Sequence, residues 1–394
     1  MIERNHKNVR TWIELNRKAL MDNYRAIRAA IPPKTKFMAV VKSNAYGHGL
    51  TQIAQLLTSD QPATLSRSDV AGSLVASNYL WFGVDSIIEA LHLRHEKFKN
   101  QILVLGMTLP GRIKEAAQEN IILTVSSLPA LMSIAKSKLR PAFHLKIDTG
   151  MHRQGFSTEE LPRVIKVLKK YKLTPTGIYT HFAFATDQFS PHYTLEQLKN
   201  FKEAIKILRQ AGYKNLLKHS AASGGTLLFP ESHMDMVRVG MALYGYYPSL
   251  EAARQIGKKI VLSPILSWKS LVGEVKEIPS GAYVGYDLTE KVSRKTKLAV
   301  IPIGYWHGFD RGLSSVGEVL IGGLRRRIIG RVSMDMIVVD VTDGKEEVRA
   351  GDTVTVIGRD GRGKIWADEM AQKIGTSHYE VLTCINPLIY RKVV

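Results

Sequence analysis

Eight short runs of apolar and β-branched residues recur along the front part of this chain: Phe37–Lys42, Tyr79–Val84, Ile102–Gly106, Ile121–Val125, Ala142–Ile147, Gly177–His181, Leu216–Ser220 and Met236–Leu243. Segments with helical spacing lie between them. Leu15–Ala30 carries Leu20, Tyr24 and Ile27 on one face, and Asp85–Leu93, Glu159–Leu168 and Leu195–Leu208 follow the same period. Strand-then-helix units in series predict a parallel sheet. Eight of them predict an α/β fold of the closed (β/α)8 TIM-barrel type.

The pattern changes after about residue 255. Strand-like runs now succeed one another across Gly, Pro and Asp turns: Ile265–Val275, Thr296–Pro302, Val319–Ile321, Arg327–Ile329, Met336–Val341 and Thr353–Ile357, with one helical segment near Ala367–Ile374. This predicts a mostly-β C-terminal domain. The expected division is a barrel over 15–255 and a β-rich domain over 256–394, joined by an N-terminal strand at about 9–14. The polar, turn-rich stretch Leu56–Asn78 reads as a surface loop inserted after the first helix.

The barrel assignment also says where chemistry belongs, because active sites of such barrels sit at the carboxyl ends of the strands. Lys42, Lys146 with Asp148, His181, Ser220 and Arg238 all fall near those ends. Lys42 closes an apolar run. A lysine buried there is desolvated, the condition for a Schiff-base lysine.

Composition excludes other classes. The formal net charge is +20, but the basic residues are scattered, with little aromatic interleaving and no nucleic-acid motif. A solvated basic surface is expected, with no specific nucleic-acid partner. The single cysteine, Cys384, permits no intrachain disulfide. The N-terminus has no apolar run of signal-peptide length and no stretch has the length of a membrane helix, so a cytoplasmic enzyme without a membrane partner is expected. No metal site is expected.

The string Val40-Val-Lys-Ser-Asn-Ala-Tyr-Gly-His-Gly49 resembles the pyridoxal-phosphate attachment motif of the alanine racemase family. Further matches follow in the family's order: Lys146-Ile-Asp-Thr-Gly-Met-His-Arg153, Tyr179-Thr-His-Phe182, Ser220-Ala-Ala, Met236-Val-Arg-Val-Gly-Met241, Pro279-Ser-Gly-Ala-Tyr-Val-Gly-Tyr286, Pro302-Ile-Gly-Tyr305 and Gly330-Arg-Val-Ser-Met-Asp335. The resemblance covers about residues 10 to 390.

It implies pyridoxal 5'-phosphate as cofactor, an amino acid as substrate and a homodimer with shared active sites. Lys42 would hold the cofactor and serve as the base on one face of the substrate. Tyr286, supplied by the partner subunit, would serve the other. Arg238 would face the pyridine nitrogen, where a permanently charged group disfavours ring protonation, and His181 would orient it. Ser220, Gly240, Met241 and Tyr46 would take the phosphate. Arg153, Met334 and Tyr305 would meet the substrate or line its entrance, supported by Asp335 and by Lys146, a lysine often carbamylated in the family. The product, D-alanine, would supply peptidoglycan.

Ser43, His219, Trp306-His307 and Pro387 depart from the family pattern, around the phosphate and the entrance rather than at the two bases. A racemase for serine or lysine would differ in pocket size. A barrel-type decarboxylase would place an acid where Arg238 stands and a cysteine acid in the second domain. A purely binding protein would have no use for a second base.

Overall fold

The computed structural model describes residues 9–59, 80–344 and 347–394, and within it two units are distinct. Ala19–Ala45 and Ile53–Ser263 form one, and the segments around Tyr46–Gln52 and Pro264–Val394, with the chain leading to Lys18, form the other. Most of the Leu56–Asn78 insertion lies outside the described residues; its first residues end the helix Leu50–Ser59.

The first strand, β1 (Thr11–Leu15), belongs to the second unit. The first unit contains the eight expected parallel strands: β2 (Lys36–Val40), β3 (Leu80–Val84), β4 (Gln101–Val104), β5 (Ile121–Val125), β6 (Phe143–Lys146), β7 (Gly177–Tyr179), β8 (Leu217–His219) and β9 (Met236–Val239). Their order in the sheet is β8-β7-β6-β5-β4-β3-β2-β9, a nearly closed barrel.

β3 and β5 are buried at every position. That is the mark of strands covered on both faces, by helices outside and by packed side chains inside. Met38, Trp81, Leu103, Ile122 and Met236 form one inward cluster, with Leu105 and Leu217 packed against it. The barrel is therefore filled, and chemistry is confined to its rim.

Local signals place the crossover helices. Ser86 and Glu89 form a capping box that starts Ile87–His95. Leu161–Lys170 buries Leu161, Val164 and Leu168 on one face. No helix among the described residues is long and apolar enough to cross a membrane.

The second unit is β-rich. In its main sheet β1 lies between Leu266–Leu271, antiparallel to it, and Tyr390–Val393, parallel to it. The sheet continues through Thr353–Asp360, Glu318–Ile321 and Leu324–Arg327. Glu274–Ile278, Thr296–Ile301 and Ile337–Asp340 form a separate three-stranded sheet. The short helix His378–Thr383 and the strand Tyr390–Val393 were not legible from periodicity.

Candidate active site

Past the end of β2 the backbone turns left-handed. Ser43, Asn44, Ala45 and Tyr46 have φ of 55°, 56°, 52° and 53°. Such backbone costs L-residues roughly 1–2 kcal/mol each, so outside contacts must hold it. One is the Glu89 carboxylate, which accepts the Ser43 N–H at 2.6 Å. Glu89 also accepts the Asp85 N–H at 2.8 Å, tying the lysine turn to the end of β3.

Lys42 stands at the head of this turn. Its side chain is 36% exposed and its Nζ lies 3.4 Å from Asp85 Oδ1. The sequence predicts a buried ammonium; the structure leaves it partly exposed and pairs it with Asp85, a residue that no motif points to.

On the strand next to β2, Arg238, within β9, is 3% exposed. Its Nη2 donates to the Thr180 carbonyl at 2.7 Å and the Ser220 carbonyl at 3.0 Å. Its Nη1 donates to His219 Nδ1 at 3.0 Å, while His181 Nδ1 lies 3.3 Å from Nη2. His181 thus shares with His219 the orienting role expected of it alone. The guanidinium also lies over the Tyr179 ring, 5.1 Å from its centroid, and His219 stacks on that ring at 4.7 Å.

No carboxylate forms an ion pair with Arg238 among the described residues; its partners are neutral carbonyls, imidazoles and a ring. Burial lowers its pKa to about 10. The same burial, with Arg238 alongside, holds His181 and His219 well below the usual histidine range. The cluster is a fixed positive charge surrounded by neutral imidazoles.

The segment after β8 differs from expectation. The helix begins not at Ser220 but at Ser223, spanning Ser223–Leu228. Ser220 is fully buried and its hydroxyl donates to the Ser232 carbonyl at 2.7 Å. Ser223 Oγ instead accepts the Gly240 N–H at 3.1 Å and the Ala242 N–H at 3.4 Å. With its lone pairs engaged, this hydroxyl has its own proton to give. Ser223 was missed because Ser220 lay nearer to the strand end. Gly240 and Met241 follow β9 directly.

Lys146 ends β6, buried, and donates to Gln154 Oε1 at 2.9 Å. Burial first, then Arg153 and Arg238, pull its pKa down to about 8. Asp148 Oδ1 accepts the N–H groups of Gly150, Met151 and His152 at 3.0, 3.0 and 3.1 Å, shaping the loop that carries the exposed Arg153. Burial opposes ionisation of Asp148, but these N–H groups hold its carboxyl below the usual range.

The remaining residues lie in the second unit. Tyr286 opens a short 3-10 turn and is 69% exposed, next to Asp287, which pairs with Arg331 at 3.2 Å. Tyr305 and Met334 are brought together by backbone bonds, Tyr305 N–H to the Ser333 carbonyl at 3.1 Å and Trp306 N–H to the Met334 carbonyl at 3.0 Å. All three side chains are exposed. Asp335 follows Met334 in this loop. The departure at His307 has a structural use: its Nδ1 accepts the Gly304 N–H at 3.2 Å. Tyr46 sets its ring edge against Tyr379, with 6.1 Å between centroids. Pro387 is exposed.

Residues 15–248 match the family model described as the alanine racemase N-terminal domain, and residues 265–393 the alanine racemase C-terminal domain. An alanine racemase of Leptospira interrogans is 39% identical over 392 residues, 98% of this chain and 96% of that protein. The crystal structure of an alanine racemase from Bacillus anthracis with bound L-Ala-P superposes with a TM-score of 0.87 at 31% identity, covering 99% of this chain and 96% of that one. A Bartonella henselae alanine racemase with covalently bound pyridoxal phosphate gives a TM-score of 0.82 at 28% identity, over 98% and 100% of the two chains.

Proposed function

The chain belongs to the alanine racemase family and is an enzyme that racemises alanine, and we propose that it does so on pyridoxal phosphate attached to Lys42, with Lys42 and Tyr286 as the two proton-transfer groups. The reading rests chiefly on the donor set at the barrel rim: a lysine at the end of β2, a serine hydroxyl with a proton to give beside Gly240, and a buried arginine with no carboxylate partner among the described residues.

These residues fit the cofactor. Lys42 would hold its aldehyde end. Ser223, itself held by the Gly240 N–H, would take its phosphate with the Met241 backbone and the phenol of Tyr46; Ser220 serves through its carbonyl, which holds Arg238. Arg238, positioned by His219 and His181, would hold the ring at its nitrogen edge. Pyridoxal phosphate supplies the electron sink that acidifies the substrate's α-proton.

The protein's own part is to move that proton. A planar carbon must lose a proton on one face and regain it on the other, which requires a group on each side within hydrogen-bond reach. Lys42 would hold the proton at Nζ on one side. Tyr286 holds it at its phenol oxygen on the other. Its exposure suits a side chain that completes a partner's site in a homodimer. So does the company of other exposed apolar residues of the second unit, Tyr283, Tyr305, Trp306, Met334 and Met336. Arg153 and the Met334 backbone hold the substrate carboxylate, and Tyr305 lines the approach.

The enzyme works in the cytoplasm and its product, D-alanine, supplies peptidoglycan. A chiral assay across L-alanine, L-serine and L-lysine tests the reading. Turnover is expected with alanine foremost, and Tyr286→Phe is expected to slow both directions while the cofactor's absorbance stays. Full activity in that variant would remove Tyr286 from the mechanism.

A further inference from the structure

Arg391, in the last strand of the second unit, is 7% exposed and lies in no ion pair among the described residues. Its Nε and Nη2 fork onto the Gly47 carbonyl at 2.9 and 2.8 Å. Its Nη1 donates to the Ile389 carbonyl at 2.6 Å, the Pro387 carbonyl at 3.0 Å and the Asn386 carbonyl at 3.4 Å. Every acceptor is a neutral backbone oxygen. Burial lowers the guanidinium's pKa to about 10.

A buried cation without a counter-ion is expensive. What it gains here is geometric, since one planar fork reads two chain segments far apart in sequence. The glycines agree with this. Gly47 has φ +83°, and a Cβ on it would sit 1.9 Å from the Leu382 carbonyl oxygen; one on Gly49 would sit 2.9 Å from Arg391 Cδ. At Gly47 the chain is thus pressed against the Leu382 carbonyl with no room for a side chain, and at Gly49 it lies close to the Arg391 stem.

We propose that Arg391 is a positioning residue for the cofactor site: its grip on the Gly47 carbonyl fixes Tyr46, the last residue of the left-handed turn, and ties Tyr46–Gly47 to the Asn386–Pro387 corner. This rests on the reading that Lys42 and Tyr46 hold pyridoxal phosphate. The turn is costly backbone, so release at Gly47 lets Tyr46 relax and move its phenol.

The test compares the unaltered protein with Arg391→Lys and Arg391→Ala. Lysine keeps the charge and the stem but cannot fork. Titration with pyridoxal phosphate, read by absorbance of the bound cofactor, is expected to show affinity falling roughly ten- to hundred-fold in both variants, the scale of a small misplacement. Guanidinium at millimolar concentration is expected to restore part of the loss in Arg391→Ala but not in Arg391→Lys. Hydrogen exchange of the cofactor-free proteins is expected to speed up at residues 46–50 while Thr353–Asp360 keeps its protection. Unchanged affinity in Arg391→Lys with normal uptake by the parent overturns the inference alone. So does protection lost equally in Thr353–Asp360, the sign of a merely structural role. Absence of uptake by the parent overturns the reading of the site and this inference with it.

Discussion

His219 Nδ1 accepts a hydrogen bond from Arg238 at 3.0 Å, and this fixes the proton positions of two buried histidines. Arginine has no lone pair to offer, so the His219 proton lies on Nε2. That nitrogen is 2.9 Å from His144 Nδ1, which must accept, leaving the His144 proton on a buried Nε2 that has no partner among the described residues. The barrel beneath the site is therefore a one-way chain of neutral donors and acceptors pointing away from Arg238.

An acid sensitivity follows. Burial, then Arg238, pushes His144 down to about 3 and His219 well below its usual 6.5. Between pH 6.5 and about 3 the unfolded chain binds protons that the folded one refuses, so stability is present above that window and lost as pH falls through it. Urea denaturation at pH 7, 6, 5 and 4 is expected to show a declining midpoint. His144→Asn keeps an acceptor for His219 and removes one titrating group, so its decline is expected to be shallower. Parallel slopes would remove His144 as a cause.

Gly177 makes the same point through packing. A Cβ on it would lie 2.6 Å from His144 Cδ2 and Nε2, so the imidazole would have to move. Gly177→Ala is expected to cost about 1–3 kcal/mol, the usual scale of overpacking, measured by urea denaturation at pH 7. The cofactor's absorbance is expected to shift as well, because the displaced ring pulls on His219 and Arg238. A variant as stable as the parent would show that the ring has space to yield.

Lys146 is a second amine at the barrel rim, and it is buried. With a pKa near 8 its free-base form is substantial at mildly alkaline pH, and Gln154 holds its nitrogen in place. A carbamate there would place a negative group beside Arg153. Protein equilibrated with 13C-bicarbonate is expected to show a carbamate carbon resonance, and Lys146→Met is expected to lack it. A resonance of equal strength in Lys146→Met would assign the adduct to another amine.

The parts legible from sequence were those set by periodicity and by strand ends. Seven of the eight barrel strands begin and end within two residues of their expected runs, because alternation of apolar runs with helical spacing reports burial directly; the eighth, β9, stops at Val239, four residues short of Leu243. Lys42, Lys146, His181 and Arg238 were legible because a barrel rim singles out strand ends. Asp85 and Ser223 were not. Asp85 meets Lys42 through adjacency of β2 and β3, and Ser223 matters through a bond to Gly240, seventeen positions away. Arg391 was invisible for the same reason, since its partner Gly47 is 344 positions distant. The left-handed turn from Ser43 to Tyr46 left no signal either, because none of its residues is the glycine that announces such backbone.

Mixing two inactive variants tests whether the site is shared. If Tyr286 acts in the partner's barrel, Lys42→Ala and Tyr286→Phe fail for different reasons in different chains. In a mixed dimer, the Tyr286→Phe chain keeps its lysine and receives an intact phenol from the Lys42→Ala chain. The other site lacks both groups. Random exchange makes half the dimers mixed, each with one of two sites whole, so activity is expected to recover to about a quarter of the parent's. The variants, denatured and refolded together at equal concentration, are compared with each refolded alone. If Tyr286 served its own chain, every site in the mixture would lack one group, and activity would stay at the level of the separate variants.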